Sequence, residues 1–304
     1  MRLLLFVLFF VLANDGHAIS VQSGTLATIE QFPSKFVSKR NIHIWLPEDY
    51  NESNNYAVLY MHDGQMLFDA STTWNKQEWG VDETAARLNN TSNIRPFIVV
   101  GIDNGGPDRH RDYYPQKPFN LLSIADQKRF YQIPRDESQL LFNGAVNSDN
   151  YLKFLVQELK PYIDENYAVD TSKNSTFIMG SSMGGLISLY AINEYPDVFG
   201  GAACISTHWL GVMPHEGNPA PNTFYQYLTN SLTKLSDHKI YFDYGNKTLD
   251  EHYPPLQKHV DLIMKSKGFT KENWQTLFFD GHAHTEEAWQ SRLEKPISFL
   301  MKKK

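Results

Sequence analysis

The sequence predicts an α/β protein built on a mostly parallel central sheet. Along its 304 residues, short segments rich in β-branched and aromatic residues alternate with longer segments of helical periodicity. Most of the short segments are also apolar throughout, which is typical of strands that are covered on both faces, as in parallel sheets. We therefore expect one central sheet with helices on both of its faces.

Seven segments fit the strand pattern: residues 40–47, 56–63, 96–103, 175–180, 201–206, 239–245 and 275–280. Five more have the apolar spacing of helices: residues 80–88, 149–167, 183–194, 250–267 and 285–301. Residues 107–148 fit neither pattern, so we expect an irregular insertion there. Insertions of this length on compact domains are often lids or binding loops.

The N-terminal residues predict export. A charged start is followed by an apolar run at residues 3–13 and by the small residue Ala18, a pattern typical of secretory signal peptides. The alternative is a membrane anchor, but eleven apolar residues are too few to span a bilayer. We expect a signal peptide at residues 1–18, a single domain at residues 19–304, and a secreted or periplasmic protein without stable membrane insertion.

Composition narrows the functional class. Hydrophobic residues make up 41% and charged residues 20%, which is ordinary for a globular protein with a sizeable core. The net charge is −6 and there is no long basic run, so nothing indicates a nucleic acid or an anionic membrane as partner. Cys204 is the only cysteine, so the chain cannot form an internal disulfide. The apolar residues around it predict a buried thiol.

The segment Gly180-Ser181-Ser182-Met183-Gly184 matches the G-x-S-x-G pattern of a nucleophile elbow. A predicted strand precedes it and a predicted helix follows, as an elbow requires. Its glycines permit the close approach and the unusual backbone angles that a side chain would block. We expect Ser182 to be a nucleophile, whereas Ser181 has the wrong spacing to the glycines. The alternative is an ordinary turn.

A serine hydroxyl is a poor nucleophile until a base removes its proton. In the elbow arrangement, the chain order is serine, acid and then histidine. Among the histidines after Ser182, only His282 and His284 follow a predicted strand and lie in a loop before the last predicted helix. We expect His284, at the start of that helix, to be the base, with His282 as the rival. No nearby Cys/His cluster completes a metal site with this pair, so we expect no metal and no cofactor.

The acid should follow the preceding predicted strand, residues 239–245. We choose Asp250 in GNKTLDEHY, with Glu251 as the alternative, and expect Asp243 within the strand to be structural. A buried carboxylate beside the base would hold the tautomer of the imidazole and stabilise the imidazolium.

The oxyanion of a tetrahedral intermediate needs backbone N–H donors. One should come from Met183, the residue after the nucleophile, and the other from a loop after an early strand. The segment MHDGQMLFD lies at such a place, and Gly64 would let the backbone turn so that the Gln65 N–H faces the site. The alternative for this segment is an ordinary Asp-Gly turn.

Over about residues 35–300 the chain resembles the putative esterase family of α/β-hydrolases. That family includes S-formylglutathione hydrolases, feruloyl and acetylxylan esterases, siderophore esterases and mycolyltransferases. The resemblance rests on an ordered series of segments: RNIHIWLPEDY, MHDGQMLFD, TTWNKQEWGVDE, GIDNGG, RHRDYYP, GSSMGG, YFDYGNKTLD and HTEEAWQSRL. It implies the α/β-hydrolase fold and a triad of Ser182, Asp250 and His284. Trp289, at the family's spacing from the histidine, favours His284 over His282.

Other aromatic and charged residues are candidates for a substrate pocket. Arg109 and Tyr113 lie in the expected insertion, and Trp209 follows the strand after the elbow. For Trp209, packing at the rim of the core is an equal alternative. We expect Trp74 and Trp79, which flank the predicted oxyanion loop, to be structural.

Together these features predict an exported serine hydrolase that cleaves small-molecule or carbohydrate carboxylic esters through an acyl-enzyme. Carbohydrate-linked acyl or feruloyl esters and siderophore esters are the substrates that the resemblance implies. Two other hypotheses remain: an acyltransferase of the same fold, and a non-catalytic binding protein that kept the fold.

Overall fold

A computed structural model describes residues 19–232, 235 and 237–303, so the predicted signal peptide at residues 1–18 lies outside the described residues. Its centre is one eight-stranded sheet of strand order β1-β2-β4-β3-β5-β6-β7-β8. The strands are β1 Thr25–Phe32, β2 Arg40–Leu46, β3 Ala57–His62, β4 Phe97–Ile102, β5 Thr176–Ser181, β6 Gly201–Ile205, β7 Lys239–Tyr244 and β8 Trp274–Phe278.

The sheet is parallel from β4 across to β8, whereas β1 and β2 run antiparallel to their neighbours. The predicted class is therefore confirmed, and each of the seven predicted strands has a counterpart. The edge strand β1 was missed. Most of its residues are exposed and several are polar, so the sequence TLATIEQF has no apolar run of the kind that marks the central strands.

The helices are α1 Val81–Asn89, α2 Arg109–Tyr113, α3 Gln116–Asn120, α4 Ile124–Phe130, α5 Ser148–Phe154, α6 Lys160–Asn166, α7 Met183–Glu194, α8 Ala220–Ser231, α9 Tyr253–Ser266, α10 Glu286–Gln290 and α11 Glu294–Met301. A π-helical turn, Leu155–Leu159, joins α5 to α6. Helix α8 was not predicted, and the last predicted helix is divided into α10 and α11. The expected irregular insertion contains three short helices, α2 to α4. Within the described residues, no helix is long and apolar enough to cross a bilayer.

Successive residues of each central strand point to opposite faces of the sheet, and each face has its own core. Ile178 of β5 belongs to the larger core, with helices α5, α7, α8 and α9. Phe177 and Met179 belong to the second core, with α1 and α11. The helices therefore cover both faces, as predicted. The parallel strands end at the same edge of the sheet, where the loops after β3, β5, β7 and β8 meet.

Candidate active site

Ser182 occupies a strained turn between strand β5 and helix α7. Its backbone has φ 57° and ψ −119°, a conformation that L-residues rarely adopt. The turn is tight: a Cβ atom on Gly180 would lie 2.8 Å from the carbonyl carbon of Gly184. Ser181 and Ser182 both line a cleft, but Ser182 is partly exposed whereas Ser181 is only 3% exposed. The local geometry is that of the predicted elbow.

His284 and Asp250 are joined by a hydrogen bond of 2.6 Å between Nδ1 and Oδ1. Asp250 lies in a 3₁₀ turn, Thr248–His252, and its side chain is fully buried. Its second oxygen accepts hydrogen bonds from the Ser206 hydroxyl at 2.6 Å and from the Gly245 N–H at 2.7 Å. Burial by itself would raise the pKa of Asp250, but the hydrogen bonds and the His284 imidazole outweigh it and hold that pKa below its usual value.

The imidazole of His284 has a defined orientation. The rings of Tyr253 and Trp289 contact it edge-on, at centroid distances of 5.7 and 5.0 Å. Its backbone N–H donates to the Thr248 hydroxyl at 2.9 Å. Since Nδ1 faces an ionised carboxylate, the ring proton belongs on Nδ1 and Nε2 keeps its lone pair. Ser182 and His284 line the same cleft.

The rival residues from the sequence lie elsewhere. Glu251 is 63% exposed and its carboxylate lies 3.5 Å from His252. Asp243 is buried and forms an ion pair with Arg292 at 3.0 Å. His282 supports the neighbouring loop through its backbone, because its carbonyl accepts hydrogen bonds from the N–H groups of Asn246 and Lys247. Of the candidate acids and bases, the structure brings together Asp250 and His284.

The loop after β3 is held in a defined conformation next to the cleft. Asp63 has a left-handed backbone, φ 58° and ψ 46°, and precedes a 3₁₀ turn, Gly64–Met66. A Cβ atom on Gly64 would lie 2.7 Å from the backbone nitrogen of Ile102, so only glycine fits against β4. The first N–H groups of a helix or turn have no acceptor within it. Gln65, the second residue of its 3₁₀ turn, lines the cleft, and Met183 is the first residue of α7, so the backbone N–H groups of both occupy such positions.

An ion pair supports this loop. The Nε and Nη2 atoms of Arg109 donate to the Asp63 carboxylate at 2.6 and 2.8 Å. The Asn104 side chain donates to the same carboxylate at 2.7 Å. Burial would raise the pKa of Asp63, but Arg109 outweighs it and lowers that pKa. The Asn104 N–H in turn donates to the Gln65 side chain at 3.2 Å. Arg109 lines the cleft, and it also connects the insertion to the loop after β3.

The cleft has a volume of about 760 Å³, and its walls carry an unexpected aromatic residue. Trp74 lines it and is 84% exposed, so it does not pack in the core as Trp79 does. The next residue, Asn75, donates to Glu286 at 2.8 Å and so ties this loop to the segment that carries His284. Trp79 is buried and packs against Trp289, as a structural residue would.

Two of the predicted pocket residues are corrected by the structure. Within the described part of the chain, neither Tyr113 nor Trp209 lines this cleft, because both side chains are buried. The Tyr113 hydroxyl lies 3.4 Å from the Asp63 backbone nitrogen, in the loop after β3. The Trp209 indole donates to Gln257 at 2.9 Å. Both aromatic residues become fully buried because each has a hydrogen-bonding partner for its polar tip.

Sequence reasoning missed Ser206 and Arg292, which lie behind Asp250. Ser206 follows the last residue of β6 and has a positive φ of 41°. In the sequence it is one serine at the end of an apolar run, and no motif distinguishes it. Arg292 follows α10 on what the pattern predicted to be a continuous helix. Only the folded chain brings them to Asp250.

Comparisons with known proteins identify the family of the chain. A family model described as Putative esterase matches residues 34–298, which is most of the chain. Among curated proteins, the uncharacterized protein YbbA of Bacillus subtilis (strain 168) is 24% identical over 269 residues, covering 86% of this chain and 92% of YbbA. The ferri-bacillibactin esterase BesA of the same organism is 25% identical over 179 residues, 56% of this chain and 55% of BesA.

A solved structure described as a ferulic acid esterase superimposes with a TM-score of 0.64 at 19% identity, covering 91% of this chain and 97% of that one. At this identity the likeness establishes the fold, and the family model adds the class of enzyme. The chain belongs to the putative esterase family and is a carboxylic ester hydrolase with the α/β-hydrolase fold.

Proposed function

We propose that this protein is an exported serine esterase whose triad consists of Ser182, His284 and Asp250. The observation that carries the proposal is the 2.6 Å hydrogen bond between His284 and the buried Asp250, at the same cleft as the strained Ser182. Such a pair supplies the neutral base that a serine hydroxyl needs before it can attack a carbonyl. The export part rests on the signal-like pattern of residues 1–18.

In this mechanism the Ser182 oxygen attacks the ester carbonyl while His284 Nε2 takes the serine proton. The negative charge that develops on the carbonyl oxygen is stabilised by the N–H groups of Gln65 and Met183. The imidazolium then gives its proton to the leaving alcohol, and an acyl-enzyme remains. Water, deprotonated by His284, attacks the acyl group, and the released acid leaves Ser182 with its proton restored.

Asp250→Asn tests the triad. We expect the variant to fold but to lose turnover by up to about 10⁴-fold, because an amide does not hold the required imidazole tautomer. Glu251→Gln is the matched control: it removes the neighbouring carboxylate, which is exposed and directed at His252, and should keep near-normal activity. Steady-state kinetics on one chromogenic ester compares them. Loss of turnover only in the Glu251 variant would reject Asp250 as the acid.

For the substrate we propose an ester that presents a flat ring, such as a feruloyl group linked to carbohydrate, or a siderophore-type ester. Trp74 supports this class, since a large aromatic side chain that is 84% exposed in a cleft offers a stacking surface. Arg135 lies in the same cleft and is exposed, so a cation is available there for a polar or anionic substituent. The similarity to BesA and to a ferulic acid esterase agrees with aryl-containing esters.

Trp74→Ala tests the ring-binding role. We expect KM for feruloyl or catecholate esters to rise by roughly 2- to 10-fold, which corresponds to the loss of one aromatic contact. A small aliphatic ester such as ethyl acetate should be hydrolysed as before, and Trp74→Phe should retain most of the affinity for aryl esters. An equal change for aliphatic and aryl esters would show that Trp74 supports the loop rather than the substrate.

A further inference from the structure

The Ser206 hydroxyl lies at the centre of a buried polar network behind the triad. It is within hydrogen-bonding distance of three side chains: Asp250 at 2.6 Å, Arg292 at 2.8 Å and Trp289 at 3.1 Å. Ser206 itself is fully buried, and Arg292 is 2% exposed. These groups come from three separate parts of the chain: the end of β6, the Thr248–His252 turn, and the end of α10 with the residues after it.

The direction of each hydrogen bond follows from the chemistry of the groups. The Trp289 indole and the Arg292 guanidinium can only donate, so they use the two lone pairs of the Ser206 oxygen. The one proton of Ser206 is then left for Asp250. A hydroxyl whose lone pairs are engaged by a cation and an N–H is a stronger donor, since hydrogen bonds in a chain polarise one another. Ser206 therefore favours the ionised form of Asp250.

Arg292 is expensive to bury in this position. Its Nη2 atom contacts both Ser206 and, at 3.0 Å, Asp243, but its Nε and Nη1 atoms have no hydrogen-bonding partner among the described residues. A buried cation with unused donors costs free energy, and its ion pair with the buried Asp243 offsets that cost only in part. The guanidinium of Arg292 lies 5.0 Å from the centroid of the Phe279 ring, and this cation–π contact offsets only part of the free-energy cost of burial. Because the burial of Arg292 is costly, packing alone does not explain its presence at this position.

We propose that Ser206 is a positioning residue for ester hydrolysis, which carries the influence of the Arg292 cation to Asp250 and holds that carboxylate in the orientation that fixes His284. The inference rests on the proposed triad and deepens it. Neither Ser206 nor Arg292 lines the cleft, and their effect on the reaction passes through Asp250.

The hydrogen bond from Ser206 to Asp250 should also affect the pH dependence of activity. The groups that face Asp250 are His284, Tyr253 and His208, together with Asp243 and Arg292 across Ser206. Burial lowers the pKa of His208 to about 3 and raises that of Tyr253, so both stay neutral in the working range. Without the Ser206 proton, Asp250 becomes more basic and stabilises the imidazolium of His284 more strongly. The inactive protonated enzyme then persists to higher pH.

Ser206→Ala tests this in the purified full-length enzyme. We expect kcat to fall by about 10- to 100-fold with KM unchanged, because a hydrogen bond to a charged group is lost. The acid limb of the kcat/KM profile should move to higher pH. Ser188→Ala is the matched control, since it removes another fully buried serine hydroxyl, whose contact is the Gly184 carbonyl at 2.7 Å, and should leave both quantities unchanged. Ser206→Cys, with a weaker donor of similar shape, should recover part of kcat.

The outcomes separate this inference from the proposed function. If Ser182→Ala is inactive but Ser206→Ala keeps the kcat and the acid limb of the wild-type enzyme, the positioning role of Ser206 is rejected and the triad stands. If Ser182→Ala remains active, the triad and this inference are rejected together. Should Ser206→Ala fail to fold, Ser206→Cys decides the matter: an unshifted acid limb with full kcat in that variant rejects the role.

Discussion

We expect Ser182→Ala to lower the turnover of carboxylic esters by roughly 10⁶-fold, the loss seen when a triad nucleophile is removed from a well-studied protease. The variant should fold normally, because Ser182 is partly exposed and alanine has the same Cβ atom at the strained φ of 57°. A serine-directed fluorophosphonate should modify the wild-type protein at Ser182 and leave the variant unlabelled. Steady-state kinetics and mass spectrometry of the labelled peptide measure both effects.

Ser181→Ala is the control for this experiment. Ser181 is the last residue of β5 and is almost completely buried, so its loss should affect turnover only mildly. Full activity of Ser182→Ala, or labelling of a different serine, would mean that the elbow does not supply the nucleophile. Absence of labelling in the wild-type protein would favour the non-catalytic hypothesis.

His284→Ala should reduce turnover almost as much as Ser182→Ala does, because the members of a triad act as a unit. Without the imidazole there is no Nε2 atom to take the serine proton or to return it to the leaving alcohol. The ionised Asp250 would also lose its partner at 2.6 Å, so a drop in thermal stability should accompany the loss of activity. Kinetics on an activated ester and a thermal unfolding scan check these two expectations.

His282→Ala separates the two histidines of the GHAH segment. The structural role of His282 resides in its carbonyl, which accepts hydrogen bonds from Asn246 and Lys247, and a backbone carbonyl survives the substitution. Turnover should therefore decrease far less than in His284→Ala. The opposite ranking would assign the base to His282 and contradict the observed pair with Asp250.

The parts of the site that the sequence predicted are those whose geometry is local. The elbow needs a serine between glycines at a strand–helix junction, and Gly180, Ser182 and Gly184 meet that need within five consecutive residues. Gly64 likewise reflects a close approach of its own loop to β4. The central strands were predicted because each is buried on both faces, which leaves an unbroken apolar run. The edge strand β1 and helix α8 carry weaker patterns and were missed.

The sequence favoured Asp250 as the acid but left Glu251 open. Asp243 lies within strand β7, whereas Asp250 and Glu251 both follow it and suit the expected chain order. The fold separates them: the Thr248–His252 turn directs Asp250 inward to His284, whereas the neighbouring Glu251 faces solvent. A shift of one residue along a turn rotates the side chain away from the core, so identity and spacing alone do not decide the partner.

By itself the sequence determined the α/β class, the elbow at Ser182 and a short set of candidates for base and acid. Each of these depends on residues close together in the chain. The tertiary structure decided the rest: the pairing of Asp250 with His284, the burial of Tyr113 and Trp209, the exposure of Trp74 in the cleft and the network of Ser206 with Arg292. Contacts of this kind join residues tens of positions apart, and whether an aromatic or charged side chain ends in the core or in a cleft depends on which partners the fold brings to it.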